Sequence, residues 1–203
     1  PWVLGAMIGD GTIGRLGFST ASPSNLERLR TKLGAKFEVN AAPGRPYDYR
    51  IKIAGNERYG NGQRNALALV IDGLGLRRAR SHEKYIPDLY KRACRHARLE
   101  LLRGLLDTDG TVETWGSVRF CSVSRRLAED VVYLVRSLGG IASMNRTQKS
   151  FTHKGVKKAG RPAYLVNICG EGQGDVLVTE PLKVARLKKM RASRSNFMSI
   201  EPS

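Results

Sequence analysis

The chain has 203 residues, 41% of them hydrophobic, and carries 35 Lys and Arg against 18 Asp and Glu, a formal charge of +17. That length and apolar content suffice for one large domain or two small ones with real cores, and no run approaches the roughly 18 apolar residues of a membrane span. Three widely spaced cysteines, Cys94, Cys121 and Cys169, without a CxxC pair, argue against a zinc knuckle or a disulfide framework and suit a reducing compartment. The positive excess points to a polyanion, nucleic acid by default. Eighteen basic residues fall at or before Arg98 and 17 after it, so the charge belongs to both halves. No signal peptide is present, and Pro1 is not a natural start, so the chain reads as a segment of a longer precursor.

Residues 2–9 predict a short, wholly apolar, buried helix. Residues 12–19 predict a hairpin. Ser22-Pro23-Ser24-Asn25 is a helix-start cluster, and apolar residues at helical spacing follow over 26–37. Residues 39–41 and 47–53 predict strands about a Pro-Gly-Arg-Pro turn. In the second strand Tyr47, Tyr49, Ile51 and Ile53 share one face, and Asp48, Arg50 and Lys52 the other. Residues 61–74 predict a helix, 77–80 a basic linker, and 86–97 and 99–109 two further helices. A hairpin over 111–123, a helix over 125–138, strands at 141–146 and 163–168 and a helix near 181–190 then repeat the first pattern. Each half reads α-β-β-α-β-β-α, an internal duplication. The halves differ most at a polar, basic insert, 147–161.

Two segments end alike: Val3-Leu4-Gly5-Ala6-Met7-Ile8-Gly9-Asp10-Gly11 and Leu102-Arg103-Gly104-Leu105-Leu106-Asp107-Thr108-Asp109-Gly110. Gly5 and Gly9 share a helix face, as do Gly104 and Thr108, and small residues at that spacing let two backbones approach closely. Packing those faces together sets Asp10 and Asp109 side by side, with Gly11 and Gly110 expected as left-handed caps. Each acid then sits at the negative pole of a helix, where it is disfavoured, and two adjacent carboxylates repel. A cation at those ends removes both penalties. Oxygen-only ligands favour Mg²⁺ or Ca²⁺ over Zn²⁺. A single Asp-Gly is equally a common turn dipeptide; two matched copies make that reading poor.

Both segments resemble the LAGLIDADG motif of homing endonucleases, the second closely, whereas the first has Ile8 where many members carry an acid. Glu83-Lys84-Tyr85-Ile86-Pro87, and Leu127-Ala128-Glu129-Asp130 with Ser137-Leu138-Gly139-Gly140, resemble the intein-type nuclease domains, and the likeness runs from Pro1 to about Lys189. The resemblance implies an α+β fold of two pseudo-symmetric αββαββα halves packed through the motif helices, with a saddle of antiparallel sheets. The halves would be residues 1–80 and 99–203, with 81–98 as linker and helix. It implies a monomeric, intracellular (cytoplasmic or nucleoid) nuclease that cuts both strands of a long asymmetric DNA target. Asp10 and Asp109 would be catalytic and would hold Mg²⁺ with the carbonyls of Gly9 and Thr108; Ca²⁺ is expected to bind without supporting cleavage. A host intein splicing domain would flank it in the precursor. The splicing nucleophile and terminal His-Asn are missing, so the chain alone would not splice.

Candidate DNA contacts are Arg15, Arg50, Lys52, Arg119, Arg125, Arg126 and Arg146, with Lys149, Lys154, Lys157 and Lys158 in the insert, which is otherwise a solvated loop. Many relatives carry a basic residue, often lysine, after the first hairpin of each half; Ser22 and Val123 stand near those positions, with Arg125 or Lys52 as substitutes. That departure keeps open an alternative, a weakened DNA- or RNA-binding protein of maturase or regulator type. Asp107 suits a helix interface or a supporting role. The charged helix around 183–191 reads as a solvated face. His82, His96 and His153 are scattered, and Gly60-Asn61-Gly62 and Gly170-Glu171-Gly172-Gln173-Gly174 read as turns.

Overall fold

A computed structural model of the chain describes residues 1–55, 65–113, 117–153, 155–169 and 177–198. In chain order these form α1 (Trp2–Asp10), β1 (Gly11–Thr12), a 3-10 turn (Ile13–Arg15), β2 (Gly17–Ser19), α2 (Pro23–Leu33), β3 (Phe37–Ala41), β4 (Asp48–Ile53) and α3 (Ala66–Gly73). Then follow α4 (Asp88–Lys91), α5 (Arg95–Asp109), β5 (Gly110–Val112), β6 (Val118–Ser122), α6 (Arg125–Ser137), β7 (Ile141–His153), β8 (Val156–Cys169) and α7 (Pro181–Met198). The two sheets have the same antiparallel order, β1-β2-β4-β3 and β5-β6-β8-β7. The α+β architecture of two αββαββα halves is therefore the one the repeat implied.

The motif helices form the centre. α1 buries Trp2, Leu4, Gly5, Ala6, Met7 and Ile8, and α5 buries Leu99, Leu101, Leu102 and the stretch from Gly104 to Asp107. The near-continuous apolarity of α1 is unstable in an exposed helix and fits one packed on most sides. α2 and α6 lie beneath the sheets, each started by a serine N-cap: Ser22 accepts from the Asn25 N–H and Ser124 from the Leu127 N–H. The sheets turn Phe18, Val39, Ile51, Val118, Phe120, Val166 and Ile168 inward to them.

Several expectations change. Gly11 and Gly110 are extended, not left-handed, with φ −86° and −78°. The chain runs from each helix straight into a strand. Glycine is required there because a methyl at Gly11 would lie 2.7 Å from Met7 Cα, and one at Gly110 3.0 Å from Leu106 Cα. The helix expected over 86–97 is split into α4 and an α5 that begins earlier, at Arg95, because Cys94 is extended, with ψ 158°. The basic insert is not a loop. β7 and β8 run through it as one long hairpin, with a register shift between Gln148 and Ser150. Tyr47 precedes β4 in a left-handed conformation, φ 73°, and is exposed rather than inward-facing. Most of the helix expected over 61–74 is seen as α3, capped by the Asn65 side chain.

Candidate active site

The backbones of α1 and α5 touch. A methyl at Gly5 would strike Leu101 O and lie 2.9 Å from Leu105 N; one at Gly104 would strike Trp2 O and lie 2.9 Å from Ala6 N. Gly9 faces the Thr108 side chain, and a methyl there would lie 3.3 Å from Asp109 Cβ. These contacts bring the two helix ends together. Burial pushes both carboxyls above the usual range; Asp10 pushes Asp109 up further, and Lys84 and Lys183 oppose the shift at each. Asp10 is half-buried and Asp109 is exposed, so both acids can be reached from solvent.

The positive charge that the sequence demands at these poles is supplied by two lysines outside the candidate set. Lys84 Nζ donates to Ile8 O at 2.7 Å, Gly9 O at 3.1 Å and Gly11 O at 3.4 Å. Lys183 Nζ donates to Leu106 O at 2.8 Å, Asp107 O at 2.7 Å and Thr108 O at 3.3 Å. Each ammonium thus caps the last carbonyls of one motif helix and offsets the dipole there. Burial lowers both lysine pKa values, against the pull of Asp109 and Asp10 at Lys84, and of Asp107, Glu180, Asp10 and Asp109 at Lys183.

Each lysine arrives on a segment docked at the serine cap of the opposite half. Ser124 Oγ donates to Lys84 O at 2.6 Å. Ser22 and Ser24 donate to Glu180, which accepts the Lys183 N–H at 2.9 Å. The positions after the hairpins, where basic residues are missing, therefore hold the segments that carry the lysines. Lys84 lies within the Glu83–Pro87 stretch, and its basic side chain there is the available sequence signal. Lys183 had none, because in sequence it is one of several charges on a helix.

The oxygen donors at this centre are the Asp10 and Asp109 carboxylates and the carbonyls of Gly9 and Thr108, each of which keeps a second lone pair beside its lysine contact. Such a set fits a hard divalent ion and suits zinc poorly. Among the described residues no group of three His, Cys, Asp or Glu could hold a metal by itself. Coordination at the two acids would therefore draw on carbonyl, water or phosphate oxygens.

The proposed DNA contacts divide. Arg50 and Lys52 are exposed on the face of β4 away from the helices, and Arg15 is exposed in the 3-10 turn. Arg50 pairs across the sheet with Gly17 and Asn40. Arg119, half-buried on β6, donates to Glu113 at 3.0 Å and Asn167 at 2.8 Å. Arg125 is exposed and tied to Glu129 at 2.7 Å, and Arg126 lies 4.0 Å over the Tyr85 ring. Arg146 is exposed but, by strand alternation, shares the helix-side face of Ala142 and Met144. Lys149 and Lys157 belong to β7 and β8, and Lys158 is exposed. Lys154 and the glycine-rich segments 60–62 and 170–174 lie outside the described residues. His96 is exposed and His82 sits 3.8 Å from Glu83.

Residues 96–176 match the LAGLIDADG-like domain family. Over 139 residues the chain is 33% identical to the replicative DNA helicase DnaB of Mycobacterium intracellulare, a stretch covering 68% of this chain and 19% of that protein. Over 204 residues it is 28% identical to the replicative DNA helicase DnaB of a Nostoc species, covering 92% and 22%. The chain thus spans about a fifth of the length of these relatives. Among solved structures, the homing endonuclease I-DmoI in complex with DNA and Ca superposes with a TM-score of 0.55 at 15% identity, covering 93% of this chain and 95% of that one. Mesophilic variants of I-DmoI give 0.52 at 15% identity, with 93% of each chain covered. A variant with its target DNA and Mg gives 0.51 at 15%, covering 83% and 86%. At that identity the likeness speaks for the fold. No helix among the described residues is long and apolar enough to cross a membrane.

Proposed function

We propose that this chain, which belongs to the LAGLIDADG homing endonuclease family, cuts both strands of a specific DNA site by metal-assisted phosphodiester hydrolysis. The observation that carries the reading is the paired centre: Asp10 and Asp109 at adjoining helix ends, each end capped by a half-buried lysine. The reading as a weakened binding protein drew its support from missing lysines, and Lys84 and Lys183 remove that support.

Asp10 and Asp109, with the Gly9 and Thr108 carbonyls, would hold divalent ions, as the I-DmoI complexes with Ca and Mg suggest. Ions held there would supply an activated water and would offset charge on the phosphate and the departing 3′-oxygen. The lysines act as fixed charges. Carbonyls surround each ammonium, so its protons are committed and it lends potential rather than a mobile proton. Their charge lets two acids stand together and draws a phosphodiester toward them. Arg15, Arg50, Lys52 and the arginines of the second half would hold phosphates and read base edges along the sheets. Because the halves present different side chains, the target would be asymmetric and a monomer would suffice.

The helicase relatives and the share of them matched support an origin as an insert, of intein type, in a helicase-like precursor, acting on DNA inside the cell. The test is incubation with Mg²⁺ and a plasmid carrying the uninterrupted helicase gene, alongside a random-site library. Linearisation at one site, abolished by Asp109→Asn with binding retained, is expected. Specific binding without cutting under Mg²⁺ or Mn²⁺ would favour the binding protein, and neither would refute both.

A further inference from the structure

The two motif helices differ at one position beside their acids. Ile8 and Asp107, each 1% exposed, stand two residues before Asp10 and Asp109. Asp107 receives five donors. Trp2 Nε1 at 3.0 Å, Arg28 Nη1 at 3.0 Å and Thr179 Oγ1 at 2.6 Å meet one oxygen; the backbone N–H groups of Thr179 at 2.6 Å and Glu180 at 2.9 Å meet the other. Two of these bonds clamp the main chain just ahead of Lys183. Glu180 then receives the Lys183 N–H, and the lysine side chain turns back to the end of α5. Among the described residues the Lys84 segment has no such clamp on α1. It is held from the second half instead, through Ser124 Oγ on Lys84 O and through Asp130, which accepts the Ile86 N–H at 2.8 Å.

We propose that Asp107 is a positioning residue for Lys183 and not for Lys84, so that the two lysines, and with them the two strand cuts, are set by separate devices. The strand-cut part rests on the endonuclease reading above; the positioning of the lysine does not. A merely structural Asp107 would loosen the whole α1–α5 centre and affect both lysines alike. A clamp loosens one.

Both parts are testable on the full chain. In the absence of DNA and metal, amine-selective acetylation followed by peptide mass spectrometry reads the protection of each lysine. Asp107→Asn, which turns an amide NH₂ toward a ring of donors, is expected to speed labelling of Lys183 about tenfold, the scale of one hydrogen bond to a charged group, and to leave Lys84 unchanged. Ser124→Ala is expected to do the reverse. If Asp107→Asn does not fold, Thr179→Val, which removes a single donor, carries the same comparison. Equal labelling of both lysines, or no change at either, overturns the proposal. With Mg²⁺ and plasmid target, Asp107→Asn or Thr179→Val should accumulate nicked circles with the nick on one strand, at unchanged DNA affinity. Equal slowing of both strands overturns the strand-cut part. Wild-type protein that never cuts, with labelling as expected, overturns the endonuclease reading and leaves the clamp standing.

Discussion

Gly5 and Gly104 are each closed by the backbone of the other's helix, at Leu101 and Leu105 for Gly5 and at Trp2 and Ala6 for Gly104. No side chain can yield there, since both obstacles are main-chain atoms. Either glycine to alanine must push the helices apart, which overpacks the core and separates the acids. The expected cost is about 3 kcal/mol or more, a fall in Tm of roughly 6–12 °C for a chain of this size. Gly73→Ala at the end of α3, where a methyl meets nothing within 4 Å, should be neutral or gain up to about 1 kcal/mol. Thermal melts of the three variants check this.

Asp10→Asn and Asp109→Asn should make the metal-free protein more stable while removing cleavage. Both carboxyls are raised in the fold, so the folded chain holds protons that the unfolded chain releases, and wild-type stability is lost as pH rises through the folded-state values. The variants have no such loss. Their advantage should be absent below the ordinary carboxylate range and present at neutral pH, and solvent contact at Asp109 limits it to about 1 kcal/mol or less. Denaturant melts of wild type and variants at acid and neutral pH give the sign.

A divalent ion should reverse that ranking. Ca²⁺ at about 100 times its Kd stabilises a protein that binds it only when folded by about 2.7 kcal/mol. The Tm of the wild type should climb with Ca²⁺ and that of Asp109→Asn should stay flat. Parallel curves for the two proteins would remove Asp109 from the ion site.

The Trp2 indole spans the two helices to reach Asp107 and lies with its ring 5.6 Å beneath the Arg28 guanidinium. Trp2→Phe keeps most of the packing and deletes one bond to a buried carboxylate that retains four other donors. A loss of about 1.5–3 kcal/mol is expected, with cleavage intact once the protein is folded; urea midpoints and plasmid assays together decide it.

The logarithm of DNA affinity should fall linearly with log salt at a slope of about −0.9 per phosphate contact. Lys52→Ala, if Lys52 lies on a phosphate, should reduce that slope by about one and leave site preference unchanged. Arg50→Ala, if Arg50 reads a base, should relax preference at one position at a cost of about 1–3 kcal/mol. Salt titrations on specific and scrambled duplexes separate the two.

Much of the fold was legible in the chain. Residue spacing marked the repeat, the motif helices and the strands of both sheets, because those elements bury nearly continuous or alternating apolar faces. It failed where tertiary contact overrides local pattern. The insert read as polar loop because a hairpin with few inward-facing apolar positions has no periodic apolar signal, and helix 86–97 read as continuous because an extended Cys94 leaves no mark in composition.

The sequence by itself determined that two acids end two small-faced helices in a strongly basic chain, since helix spacing and charge are local or additive properties. Only the tertiary structure decided what balances those acids. Lys84 and Lys183 lie far from Asp10 and Asp109 along the chain, and each half-buried ammonium finds its carbonyls through docking between distant segments, that of Lys84 on Ser124 and that of Lys183, by way of Glu180, on Ser22 and Ser24, which no spacing rule encodes.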